Sequence, residues 1–330
     1  MAEIGNMINR NRMNLGEKVP LDTPLVIQLE ASGVCNLECS FCPHGDADMR
    51  NLFPREIMSL EMFRLFLAQA KEFPEKIKAL RIIGLGEPLL NREIAEFVRL
   101  AKESNAFENV EITSNGVALT KDLGESLINA GLDSLRISLE ALDSESFYKV
   151  SKRNVNLDTM YENLEFFYNN RKECKLYIKI TDVGLGNTPE EAFYDKYGKI
   201  CDYICVEKVI ENWPEFSSGA KGDAPMFDIE EYKEQKSVCI QPFKLLCICA
   251  NGDVVPCCSD WKRVLKVGNI AEETLKNIWT GDRLYTLRKR LLKMEQGGIC
   301  KECMHPKLSQ PDNIDDYREE ILERLERIEV

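Results

Sequence analysis

The sequence predicts an α/β fold, six parallel strands alternating with five helices, followed by a smaller cysteine-rich unit. Three observations carry this. Apolar periodicity switches repeatedly between strand and helix spacing over residues 24–210, a Gly-, Pro- and acid-rich stretch interrupts it at 211–237, and cysteines gather on both sides of that break.

Residues 24–32 alternate apolar and polar side chains with β-branched enrichment, a strand running straight into Gly33-Val34-Cys35. Helical spacing follows at 59–73, 92–103, 121–130, 157–170 and 189–197, and strand spacing at 79–85, 109–114, 134–139, 176–181 and 203–209. Such alternation implies a parallel sheet with right-handed helical crossovers, and ligands gather at the C-terminal ends of its strands. Periodicity alone leaves an open doubly wound sheet and an incomplete barrel both open. Residues 1–23 form an N-terminal extension, 238–308 the cysteine-rich unit, and 309–330 a tail. In that tail, apolar residues at 314, 317, 321, 322, 325 and 328 make an amphipathic helix expected to pack back on the body.

A net charge of −12 in 330 residues disfavours a nucleic-acid partner. No apolar run approaches the ~20 residues of a membrane helix, and the N-terminus lacks a signal-peptide pattern, so a cytoplasmic location is expected. In a reducing compartment, 13 clustered cysteines read as metal ligands before disulfides. With only His44 and His305 present, a site with several protein ligands must lean on thiolate, which selects zinc or iron–sulfur chemistry.

Cys35, Cys39 and Cys42 share one loop just past a strand end, a spacing that lets a short loop wrap a compact metal centre. Structural zinc is normally closed by four protein ligands, whereas three thiolates on a cubane leave one iron open. Zinc completed by His44 is the alternative. Cys247 and Cys249 fall on one face of a strand, with Leu246 and Ile248 on the other. The run from Cys239 to Cys258 reads as an alternating strand, an Asn251-Gly252-Asp253 turn and a second short strand.

The three-cysteine loop, with Phe41 before its last thiol, resembles the signature loop of the radical S-adenosylmethionine (SAM) superfamily. The likeness continues in order along the chain. Gly84-Leu85-Gly86-Glu87-Pro88 resembles the family's glycine-glycine-glutamate-proline segment, with Leu85 as a departure; Thr113-Ser114-Asn115-Gly116 resembles its Thr-Asn-Gly turn; Arg136-Ile137-Ser138-Leu139-Glu140 resembles the segment contacting the cofactor's carboxylate and ribose. The resemblance covers residues ~24–210. It implies a partial (β/α)6 barrel, a SAM-binding [4Fe-4S] cluster on Cys35, Cys39 and Cys42, and cofactor contacts from Phe41, Gly84, Gly86, Glu87, Ser114, Asn115, Ser138 and Glu140. It also implies cleavage of SAM to a 5′-deoxyadenosyl radical, with an electron from an external flavodoxin- or ferredoxin-type reductant.

The spacing from Cys239 through Gly252 to Cys257, with Cys300 and Cys303 downstream, resembles the auxiliary-cluster domain called SPASM, or its shortened twitch form. No cysteine follows Cys303, so one auxiliary [4Fe-4S] cluster is expected, on Cys239, Cys257, Cys300 and Cys303, with Cys258 as a substitute for Cys257. A four-cysteine zinc site is the alternative. Of the other thiols, Cys174, Cys201 and Cys205 read as small buried hydrophobes. Radical epimerases of this superfamily use a cysteine hydrogen-atom donor, so Cys249 and then Cys247 are the candidate catalytic residues, on a hairpin expected over the barrel mouth.

The expected reaction is hydrogen abstraction from a small polar, carbohydrate-like substrate, with epimerisation ahead of dehydrogenation through the auxiliary cluster. The short stretch before the first strand argues against a peptide-recognition domain there, though peptide modification stays an alternative. Glu207, Glu211, Glu215, Asp223 and Asp228 would attract a cationic sugar, although a solvated face explains them more simply. From another class, a non-catalytic iron–sulfur or zinc protein would show the same cysteines.

Overall fold

The computed structural model describes residues 2–5, 13–210, 213–217, 236–308 and 310–328. Ten strands form one sheet: β1 (Glu3–Ile4), β2 (Val26–Leu29), β3 (Ile77–Ile82), β4 (Phe107–Ser114), β5 (Ser134–Leu139), β6 (Lys175–Thr181), β7 (Tyr203–Glu207), β8 (Leu245–Ile248), β9 (Asp253–Val255) and β10 (Gly268–Asn269). Their order is β1-β7-β6-β5-β4-β3-β2-β8-β9-β10. From β2 to β7 the strands pair in parallel and in chain sequence. A doubly wound sheet would reverse direction at a switch point. This order does not, and it selects the partial barrel.

Local sequence starts and stops the crossover helices. Ser59 accepts from the Met62 N–H at 3.1 Å and caps helix Leu60–Ala70. Asn156 does the same for helix Leu157–Asn170, and Asn105 ends helix Ile94–Ser104 in a left-handed turn at φ 56°. These helices cover one face of the sheet, so Ile27, Leu29, Leu80, Ile82, Val110, Ile112, Leu135 and Ile137 pack with Phe63, Phe66, Phe97 and Phe167 in the main core. The alternate residues of each strand face inward.

Four features differ from the sequence reading. The N-terminal extension carries β1, which adds to β7, because a two-residue strand is too short to leave a period. Cys239 lies outside the hairpin strand: Pro242 opens a single helical turn, Gln241–Lys244, before β8 begins. The hairpin is part of the barrel sheet itself, with β8 joining β2 in parallel and β9 returning antiparallel. Helix Ser144–Ser151, capped by Asp143, was hidden because Phe147 and Val150 are its only buried apolar residues. The tail helix Arg318–Ile328 packs back as expected, burying Ile321 and Leu325 against Leu15, Val19, Leu291 and Leu292.

Candidate active site and auxiliary centre

The cysteine loop leaves the C-terminal end of β2 and is held by the ends of β3 and β4. Gly86 makes this possible: a Cβ there would lie 2.1 Å from the Ser32 carbonyl oxygen and 2.7 Å from the Gly33 carbonyl carbon. The Glu87 N–H then donates to the Val34 carbonyl at 2.8 Å. The Glu87 carboxylate is fully enclosed and accepts from the Leu89 N–H (2.9 Å), the Ser114 hydroxyl (2.7 Å) and the Asn115 N–H (2.8 Å). Burial raises its pKa, and these three donors oppose the rise. Glu87 thus pins the β3 end to the β4 end. Gly84 approaches Glu30 less tightly, a Cβ there meeting the side-chain Glu30 Cγ at 2.8 Å.

The three thiols crowd one another and two carboxyls. Burial lifts the Cys35 thiol to about 11 and Cys42 to about 12, and raises Cys39 well above the usual thiol range, with Glu140 and the neighbouring thiols adding to the effect. Metal binding must therefore release protons here. Asn115 donates to Asn36 Oδ1 at 2.8 Å and lies 3.9 Å from Cys35 Sγ. Glu140, 6% exposed, accepts from the Cys39 thiol; burial pushes its pKa up to about 7, and Lys179 opposes the rise. Phe41 packs against the core beside the loop, and Ser138 points inward from β5 in register with Lys179. His44 is buried edge-to-face on Phe53 at 4.8 Å. Among the described residues no three Cys, His, Asp or Glu side chains close around a single ion.

The second centre is a cavity. Cys239, Cys257, Cys300 and Cys303 all line one small cavity of about 30 Å³ among Pro242, Pro256, Leu265, Leu287, Leu291, Ile299 and Pro306. Four thiols in an apolar wall fit an all-thiolate cluster. Cys258 is outside this cavity and exposed. Cys257 is thus the one that faces the other three thiols.

The parallel pairing of β8 with β2 sets Cys247 opposite Gln28, whose Oε1 accepts from the Cys247 thiol at 3.1 Å. Cys247 and Cys249 are buried together with Leu245 and Val255 against the half-buried Val26, while Leu246 and Ile248 join the helix-covered core. Both thiols therefore face inward. Cys174, Cys201 and Cys205 are all buried. Of the acidic stretch, Glu207 pairs with Lys179 and Glu215 with Lys262, while Glu211, Asp223 and Asp228 lie outside the described residues.

The sequence reading passed over Arg81, Glu111 and Lys179, and treated Arg136 only as part of a cofactor segment. All four point inward. Charges at alternate positions of otherwise apolar parallel strands were the available signal, because strands buried on both faces read as continuous apolar runs.

Residues 29–196 match the sequence model of the Radical SAM superfamily, and residues 239–304 that of SPASM, an iron-sulfur cluster-binding domain. The chain belongs to the radical SAM superfamily. This membership implies SAM, a SAM-binding [4Fe-4S] cluster and an auxiliary cluster. Among curated relatives, a GTP 3′,8-cyclase of Chlorobaculum tepidum is 34% identical over 127 residues, 38% of this chain and 36% of its own. A GTP 3′,8-cyclase of Staphylococcus aureus is 31% identical over 218 residues, 63% of this chain and 62% of its own. The matched regions span less than two thirds of these relatives' length. Among solved structures, BtrN in complex with AdoMet and 2-DOIA is 18% identical, covering 88% of this chain and 97% of that one at a TM-score of 0.57. SuiB of Streptococcus suis bound to S-adenosylmethionine is 20% identical, covering 83% and 70% at 0.61. AnSMEcpe with bound AdoMet is 14% identical, covering 92% and 99% at 0.62. These likenesses establish the radical SAM fold, and among the described residues no helix is long and apolar enough to cross a membrane.

Proposed function

We propose that this radical SAM enzyme acts on a C–H bond of a small polar, carbohydrate-like substrate held inside the barrel, and epimerises it. The supporting observation is the parallel β2–β8 pairing, which turns Cys247 and Cys249 to the inward face beside Gln28. When bound, the cofactor and its cluster supply a 5′-deoxyadenosyl radical that removes a hydrogen atom from the substrate.

The chain's residues orient and protect that chemistry. Cys35, Cys39 and Cys42 would hold the SAM-binding cluster, and Cys239, Cys257, Cys300 and Cys303 the auxiliary one. Phe41, Gly84, Gly86, Glu87, Ser114, Asn115, Ser138 and Glu140 would shape the cofactor site, with Glu87 fixing the loop carrying Asn115. Cys249, and after it Cys247, would return a hydrogen atom to the opposite face of the substrate carbon, and the thiyl radical left behind would be restored to the thiol by one electron from the external reductant and one proton. A thiol suits this step because its S–H bond is weak enough to yield a hydrogen atom to a carbon radical. We place the barrel at 24–210, the connecting segment at 211–237, the auxiliary domain at 238–308 and the tail at 309–330, in a cytoplasmic enzyme served by a flavodoxin- or ferredoxin-type reductant.

Dehydrogenation is the second reading, favoured by the four-thiol cavity, which would hold an electron acceptor. Turnover in heavy water separates them. Epimerisation places deuterium on the product carbon, and Cys249→Ala abolishes it; a product two hydrogens lighter, indifferent to that substitution, means dehydrogenation. Peptide modification would instead show as deoxyadenosine formation stimulated only by peptides. A chain that never releases 5′-deoxyadenosine when reduced and reconstituted would be a non-catalytic iron–sulfur protein.

A further inference from the structure

The inward face carries a charge arrangement that none of these roles uses. Arg81 on β3, Glu111 on β4 and Arg136 on β5 meet at one point: Arg81 Nε and Arg136 Nη2 lie 3.1 and 3.0 Å from the same oxygen, Glu111 Oε2. Two guanidiniums share one carboxylate, which leaves one positive charge in excess. Two further cations share this side of β6: Lys179, matched by Glu207, and Lys175 at the strand start, 3.9 Å from Asp202 Oδ1.

Arg136 is held firmly. Its guanidinium carbon sits 5.4 Å over the Tyr177 ring, and Tyr177 stacks on Tyr203 with centroids 4.6 Å apart. Its Nε is buried and has no hydrogen-bond partner, a donor left without an acceptor. Arg81 keeps 40% of its side chain exposed, so the cluster is reachable from open space. Gln28 and Arg81 are register partners, so the cluster begins one strand away from the Cys247 thiol.

We propose that Arg81 and Arg136, bridged by Glu111, form an anion subsite that binds a carboxylate or phosphate group of the substrate. The inference rests on the barrel being the substrate chamber, and it replaces the cationic sugar by an acidic one. Guanidinium forks suit both groups, since each offers two oxygens in the geometry of paired N–H donors. Glu140 follows the last residue of β5, four positions after Arg136 and roughly 13 Å further along the chain direction. A small sugar acid or sugar phosphate anchored at Arg136 would thus extend its other end toward the cysteine loop, where Glu140 meets Cys39.

The test is a calorimetric titration of the reconstituted, SAM-loaded holoenzyme with inorganic phosphate and, separately, acetate. We expect Arg81→Gln and Arg136→Gln each to weaken binding of the preferred anion at least tenfold, Arg136→Lys to restore part of it, and Glu111→Gln to tighten it by removing the competing carboxylate. The stronger of the two probes identifies the substrate's acidic group. A merely structural cluster would not gain anion affinity on Glu111→Gln. Absence of binding to the wild-type protein, binding indifferent to all the substitutions, or loss of SAM affinity in Arg136→Gln would each overturn the subsite. Deoxyadenosine release is measured on the same wild-type preparations: release without anion binding sinks this inference alone, and anion binding without release sinks the radical reading while leaving the subsite.

Discussion

Arg263 Nη2 lies 2.7 Å from Glu30 Oε1, so one ion pair ties the auxiliary region to the end of β2. The two side chains are only 8% and 10% exposed. The same Glu30 oxygen accepts from the Ala250 N–H at 3.3 Å, in the hairpin turn just after Cys249. The pair therefore fixes the turn that carries Cys249 relative to the β2 end, from which the cysteine loop departs.

Removing one partner of such a pair strands the other. Arg263→Met should cost about 3–5 kcal/mol in urea unfolding, and Glu30→Gln combined with it should recover much of that loss. Burial raises the Glu30 pKa, and Arg263 opposes the rise. A carboxyl whose folded pKa is raised loses its stability contribution as pH rises through that pKa. The Arg263→Met protein should therefore lose further stability with rising pH, and an equal loss at all pH values would contradict this account.

Asp202 shows the opposite sign. It accepts from Arg171 Nε at 2.8 Å, Arg171 Nη2 at 2.7 Å and the Leu176 N–H at 2.9 Å, joining the starts of β6 and β7. Burial works against its charge, but these donors prevail and hold its pKa below the usual value. Its contribution is present above the unfolded pKa of ~3.9 and is lost as pH falls through the lower folded value. Asp202→Asn should cost about 1.5–3 kcal/mol near neutral pH, and its unfolding curve should converge with wild type in acid.

The auxiliary cavity makes a compositional prediction. Substituting Ala for Cys239, Cys257, Cys300 or Cys303 should halve the iron bound after anaerobic reconstitution, while Cys258→Ala should leave it unchanged. Iron analysis with electron paramagnetic resonance of the reduced protein would show this. Full iron content in Cys257→Ala would mean that Cys258 takes its place.

Gly86→Ala should both destabilise the protein and weaken SAM binding, because a methyl 2.1 Å from the Ser32 carbonyl oxygen forces the cysteine loop off the β3 end. Equilibrium dialysis with labelled SAM would register the effect. Unchanged affinity would show that the contact between Gly86 and the cysteine loop does not shape the cofactor site.

Most of the barrel was legible because its strands and helices are long enough to show a period, as β5 did at 134–139 and the helix over 157–170 did. The grouping of Cys239, Cys257, Cys300 and Cys303 was legible because their spacing resembles that of an auxiliary-cluster domain, and the four line one cavity. What stayed hidden depended on pairing between distant segments. Nothing near Leu245 indicates that β8 lies beside Val26, since register across so many residues is written in packing and not in local pattern. The Arg81–Glu111–Arg136 cluster was hidden for the same reason. Each residue alone resembles an ordinary surface charge, and only the β3–β4–β5 register brings them together.

The late arrival of β8 has a consequence for biosynthesis. Gln28 and Cys247 are 219 positions apart, so β2 emerges from the ribosome early and remains an uncovered border until most of the polypeptide has been made. Naked strand borders invite mispairing between nascent chains. Truncated products ending before Leu245 should therefore accumulate as aggregates, and production of this protein should respond strongly to chaperones that shield unfinished sheets.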